Sequence, residues 1–121
     1  MCAAIKTWLV IGSLENWDTA FAQPIPLWGL RESYLHSFQL LSKGDLIVVY
    51  VISPIRGVVG FANVKDTYID RENLIWPDEK RQKRVIWPLR FRLSDLNLIP
   101  RRYWQGEAGT GFQGPIDIRD F

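Results

Sequence analysis

Residues Lys43 to Val64 read KGDLIVVYVISPIRGVVGFANV. The Lys-Gly-Asp triplet is a turn signal. It launches two apolar, β-rich runs, Leu46 to Ile52 and Gly57 to Val64, joined by the short Ser53-Pro54-Ile55-Arg56 connection, and such a pair is a β-hairpin. Upstream, Ile5 to Gly12 is apolar and ends on glycine, which predicts a buried central strand. Ser13 then caps a short helix through Glu15 to Phe21, with two acidic residues in its first turns where the helix dipole favours them. Gln23-Pro24-Ile25-Pro26 is a loop, because each proline removes an amide donor and biases its predecessor to extended backbone. Trp28-Gly29 closes that loop. Arg31 to Leu41 reads as a second helix with Tyr34, Leu35, Phe38 and Leu41 on one face.

Downstream, Asp66 to Arg84 is polar and contains proline, a long loop of the kind that often carries function. Val85 to Leu93 alternates Trp87, Leu89, Phe91 and Leu93 against Pro88, Arg90 and Arg92, the pattern of a half-exposed strand with arginines on its outer face. After Pro100 comes one helical turn bearing Tyr103 and Trp104, then a glycine-rich stretch from Gly106 to Gly114 and a strand-like Ile116 to Ile118. Strands outnumber helices and their connections favour antiparallel neighbours. The expectation is one α+β domain over residues 1–121, a small curled β-sheet or barrel flanked by short helices.

Composition narrows the function classes. With 121 residues, 47% apolar and 13% aromatic, the chain can bury enough surface to fold. Its longest apolar run, Leu46 to Ile52, is far short of the roughly 20 residues that cross a bilayer, so no membrane partner and a cytoplasmic location are expected. Cys2 is the only cysteine, which excludes an internal disulfide and a cysteine-based zinc site. The single histidine, His36, has no partner cluster, and Gly106 to Gly111 lacks the Lys-Ser/Thr of a phosphate loop. Asp78 with Glu79, and Asp117 with Asp120, lie in surface-like sequence and make poor acid–base dyads. No catalytic residue, metal or cofactor is implied.

An aromatic site beside basic residues remains. Residues 1–79 hold six basic and nine acidic residues, whereas 80–121 hold nine basic and four acidic, so phosphate belongs with the C-terminal third. Of the six tryptophans, Trp8 and Trp104 read as core, while Trp17, Trp28 and Trp76 fall at loop ends. Two facing indoles about 7 Å apart can sandwich a base. Lys80, Arg81, Lys83 and Arg84 would then hold the sugar-phosphate backbone outside.

Trp8-Leu9-Val10-Ile11-Gly12-Ser13, Glu15-Asn16-Trp17, Trp28-Gly29, Lys43-Gly44-Asp45 and Val49-Tyr50-Val51, followed by Gly60-Phe61-Ala62-Asn63-Val64, Tyr68-Ile69-Asp70 and Trp87-Pro88-Leu89-Arg90-Phe91, together resemble the EVE domain of the PUA-like superfamily, related to YTH domains. The resemblance covers about residues 7 to 95. It implies a non-enzymatic module that holds a modified base of DNA or RNA, flipped or single-stranded, in an aromatic cage. By position, Trp28 is the first wall and Trp76 the second, and Gly12, Ser13 and Asn16 read the base edge. The sequence departs at the third wall, where Pro77-Asp78-Glu79-Lys80-Arg81 offers no apolar residue, leaving Trp17 or Trp87 for that role. It departs again at its end, Arg119-Asp120-Phe121, where similar standalone proteins continue into a closing helix. That resembles the N-terminal recognition domain of McrBC-type restriction proteins, whose partners are an AAA+ motor and a nuclease. The competing classes are a small ASCH-type enzyme acting on nucleic acid or nucleotides, and an interaction domain whose tryptophans are core.

Overall fold

A computed structural model describes residues 4–104. Cys2, the Gly106 to Gly114 stretch, Ile116 to Ile118 and the Asp117/Asp120 pair lie outside the described residues. In chain order the elements are β1 (Thr7–Gly12), α1 (Leu14–Ala22), β2 (Leu27–Leu30), a 3₁₀ turn (Glu32–Tyr34), α2 (Leu35–Leu40), β3 (Leu46–Val51), β4 (Gly57–Ile69), α3 (Pro77–Gln82), β5 (Leu89–Leu98) and a second 3₁₀ turn (Arg101–Tyr103). Five strands form one mixed sheet in the order β1-β3-β4-β5-β2, curled into a half-barrel. The hairpin read from Lys43 to Val64 is its centre, β3 against β4, with Ile47, Val49 and Val51 buried at alternate positions. Ser13 caps α1 as expected, its Oγ accepting the Asn16 amide at 3.1 Å.

Several expectations need correcting. The run Ile5 to Gly12 is not a central strand. Its strand β1 is an edge, parallel to β3, with only Val10 buried while Leu9 and Ile11 are 43% and 56% exposed. Apolar side chains on both faces mimic double burial in the sequence, but a strand at the end of a sheet covers only one. Trp28 and Gly29 do not close a loop but pair with Phe91 and Arg90 as edge strand β2. The helix over Arg31 to Leu41 is a 3₁₀ turn running into six helical residues, of which Phe38 alone is buried. The long loop over Asp66 to Arg84 is mostly regular, since β4 runs on to Ile69 and α3 starts at Pro77.

Arg90 is the largest departure. Alternation along β5 puts it on the outer face, yet it is fully buried, because the 70–76 loop and α3 cover that face. Its partner is Glu79, also fully buried, with Nη2 at 3.3 Å from Oε2. Glu79 Oε1 accepts the amides of Ile75 and Trp76 at 2.9 and 3.2 Å, and Oε2 accepts those of Ile86 and Trp87 at 2.9 and 3.1 Å. The guanidinium donates from Nε to the Trp87 carbonyl and from Nη2 to that of Asn73, at 3.1 and 2.6 Å, and Nη1 lies 3.1 Å from Asp70 Oδ2. One ion pair therefore ties a loop, a short helix and the entry of β5 together, and fixes the main chain under two tryptophans.

A buried pair contributes little over apolar packing, but removing one member strands the other charge. Glu79→Ala is expected to lower unfolding free energy by about 3–5 kcal/mol in urea melts. A loss below about 1 kcal/mol would show that the pair organises nothing.

Candidate functional site

The curl brings the two edge strands, β1 and β2, to opposite sides of one opening. At one end they touch. A Cβ placed on Gly12 would sit 2.3 Å from Trp28 Cη2 and 2.9 Å from Trp17 Nε1, so the Trp28 ring lies directly on the Gly12 backbone and only glycine fits. Gly29 is pinned the same way, with Trp87 Cβ and Trp76 Cη2 within 2.9 Å of its missing Cβ. Away from that closure the seam opens into a cleft of about 400 Å³, within the usual range for small-molecule sites. It is lined by Trp8 to Ile11 of β1, by Trp28 to Arg31 along and just past β2, by Tyr34, Ser37 and Leu41 of the 3₁₀–α2 segment, and by Trp87 and Phe91.

The three tryptophans expected as cage residues are brought together, but as a packed wall. Trp17 and Trp28 stack at 3.9 Å between ring centroids and 20° between planes, leaving no room for a base between them. Trp28 and Trp76 meet at 6.0 Å and 74°, edge to face instead of the parallel sandwich expected, and Trp76 meets Trp87 likewise at 5.7 Å. All three of Trp17, Trp28 and Trp76 are buried. The indole N–H of Trp17 donates to the Tyr50 carbonyl at 3.0 Å and that of Trp76 to the Asn16 carbonyl at 3.1 Å. Trp28 is the one of the three that lines the cleft. Trp87, the alternative third wall, lines it too and carries the Arg31 guanidinium 5.8 Å from its centroid.

Trp8, expected in the core, is half-buried and forms a wall of the cleft. Asp45 holds it. This carboxylate is 1% exposed and accepts Trp8 Nε1 and the Ser42 amide on Oδ2, both at 3.0 Å, and the Lys6 amide on Oδ1 at 3.1 Å, with Lys6 Nζ 3.4 Å away. Burial alone would raise its pKa, but these donors together outweigh burial and hold it down at about 2.

The expected base-edge readers are otherwise engaged. The Gly12 carbonyl accepts the Ile52 amide, the Ser13 hydroxyl caps α1, and neither residue nor Asn16 lines the cleft. The expected phosphate-binding residues divide into two pairs. Lys83 and Arg84 line a broad neighbouring groove of about 630 Å³ with Arg71, Glu32 and Glu72, separated from the cleft by the Arg31–Glu32 and Ile86–Pro88 segments. Lys80 and Arg81 are exposed on α3 and line neither, and Arg81 pairs with Asp78. Sequence reading missed Trp8, Arg31, Tyr34 and Ser37. A Trp-Gly-x-Arg order in a strand was the available signal, since it sets Arg31 just past the Gly29 contact.

No protein-family model matches the chain, and no curated protein matches it. Among the described residues there is no group of three or more side chains able to hold a metal ion, and no helix long and apolar enough to cross a membrane.

Because the Asp45 pKa falls from 3.8 to about 2 on folding, its contribution is complete above pH 4 and is lost as pH falls towards 2. At 1.36 kcal/mol per pKa unit this is about 2–3 kcal/mol. Asp45→Asn is thus expected to be less stable than the parent at pH 6, with the difference closing by pH 2. A pH-independent difference in chemical denaturation would contradict the assignment.

Proposed function

We propose that this chain is a PUA-like domain of the EVE/YTH type that binds a modified base of DNA or RNA, flipped or single-stranded, in the cleft between β1 and β2. One observation carries the reading. The seam of the half-barrel is a concave slot lined by three indoles, Trp8 from β1, Trp28 from β2 and Trp87, with the Arg31 guanidinium 5.8 Å from the Trp87 centroid. Flat aromatic ligands stack on such surfaces, and stacking is worth about 1–3 kcal/mol per base. The five-strand mixed half-barrel with few helices is compatible with that superfamily.

Binding is favoured over catalysis by what lines the cleft. Among the described residues its polar side chains are the Arg31 guanidinium, two hydroxyls and the indoles, with no carboxylate, imidazole or thiol for proton transfer or nucleophilic attack. Phosphates of a strand leaving the cleft past Arg31 would meet Lys83 and Arg84 in the neighbouring groove. A base held on its faces must leave the duplex stack, so single-stranded or mismatched sites bind best. In a modification-dependent restriction system such a module chooses the site, and a partner AAA+ motor and nuclease cut.

Tryptophan fluorescence titrations with single-stranded oligonucleotides that differ in one modified base test this. The modified strand is expected to bind more tightly. Trp8→Ala and Trp87→Ala should each lower affinity by about 1–3 kcal/mol while the protein stays folded. Trp17→Ala should instead cost about 3–5 kcal/mol of stability, because that indole is core. Equal binding of modified and unmodified strands would overturn the proposal.

A further inference from the structure

The side chains of the cleft supply faces to stack on, but few groups to read an edge. The indole N–H of Trp8 is already committed to Asp45. Main chain fills this gap. In the parallel ladder of β1 with β3, the Leu46 amide donates to the Lys6 carbonyl at 2.8 Å and the Ile52 amide to the Gly12 carbonyl at 3.0 Å, so the even-numbered residues of β1 face β3. The N–H and C=O groups of Leu9 and Ile11 consequently point away from the sheet, and among the described residues β1 has no neighbour on that side. Across the cleft, the Leu93 amide donates to the Pro26 carbonyl at 2.8 Å, which by the antiparallel alternation turns the main chain of Gly29 outward from β2. Leu9, Ile11 and Gly29 all line the cleft.

In an extended strand, the carbonyl of one residue and the amide of the residue two further on lie side by side on the same edge. From these positions we infer that the Leu9 carbonyl and the Ile11 amide form an acceptor–donor pair that reads the Watson–Crick edge of the bound base. The inference rests on the base-binding reading above and narrows its ligand class. The base must present one N–H donor beside one unmodified ring acceptor. A single alkyl group on the exocyclic amine, or a substituent at C5 of a pyrimidine, leaves both in place. A second alkyl group on the amine removes the donor, and methylation of the adjacent ring nitrogen removes the acceptor, so either leaves a main-chain group desolvated and unpaired.

The test uses the native protein and short single-stranded oligonucleotides in two series. One carries N6-methyladenine, N6,N6-dimethyladenine or 1-methyladenine, and the other N4-methylcytosine, 5-methylcytosine, N4,N4-dimethylcytosine or 3-methylcytosine. In whichever series binds, the dimethyl and ring-methylated members are expected to bind at least about tenfold more weakly than the monomethyl or C5-methyl members. Equal affinity would overturn the main-chain readout while leaving base binding standing. Failure of every modified strand to exceed the unmodified one would overturn the base-binding reading itself. Ile11→Pro provides a second arm, since it deletes an N–H that the β-ladder does not use, at an edge position where proline is tolerated. It should lower affinity about tenfold, and an affinity equal to that of the native protein would also overturn the readout. Should the proline variant not fold, the ligand series decides alone.

Discussion

The buried Glu79–Arg90 ion pair is the constraint on which the remaining structure hangs. Besides facing the Arg90 guanidinium, the Glu79 carboxylate accepts the amides of Ile75, Trp76, Ile86 and Trp87, two on each oxygen. Those amides belong to two irregular segments that no ladder or long helix would otherwise position. Arg90 completes the arrangement by taking the carbonyls of Asn73 and Trp87 and by facing Asp70, whose own carboxylate accepts the amides of Glu72 and Asn73. The pair acts by placement. It sets Trp76 beneath Gly29 and turns Trp87 into the cleft.

From that anchor the aromatic cluster runs as a chain of contacts across the open side of the half-barrel. Trp87 meets Trp76, Trp76 meets Trp28, and Trp28 stacks on Trp17, which is tied to Tyr50 in the central hairpin. Trp28 reaches over Gly12 and so joins the two ends of the sheet. The sheet is thereby held nearly closed at one end and left open at the other. The cleft is the part of the seam that the tryptophans do not fill, and among the described residues its edge strands β1 and β2 each have a sheet neighbour on one side alone.

Much of this was legible in the sequence where the signal is local. The Lys43-Gly44-Asp45 turn, the hairpin that follows and the Ser13 cap depend on residues next to one another, and each formed as expected. Burial across distance was not legible. Glu79 sits in a charged run, Asp78 to Arg81, and Arg90 in an alternating strand, so nothing nearby reveals that two opposite charges 11 residues apart neutralise each other in the core. The tryptophans were misread for the same reason. Trp17 and Trp76 flank loops in sequence yet pack inside, Trp17 stacked on Trp28 and Trp76 against Gly29 and Trp28, whereas Trp8 sits in an apolar run yet lines the cleft because its strand is an edge. Of the tryptophans expected at the site, Trp28 and the alternative Trp87 line the cleft, while Trp17 and Trp76 do not.

The central claim is that the seam between β1 and β2 takes a modified base. Heteronuclear NMR on the ¹⁵N-labelled protein, titrated with a single-stranded oligonucleotide carrying the preferred modified base, locates the ligand residue by residue. The account predicts that the amides of Leu9, Ile11 and Gly29 and the indole signals of Trp8 and Trp87 shift together, while the indole signals of Trp17, Trp76 and Trp104, held by main-chain carbonyls, stay nearly fixed. Shifts confined to α3, or centred on Phe61 and Asn97 across the sheet from the seam, would contradict it.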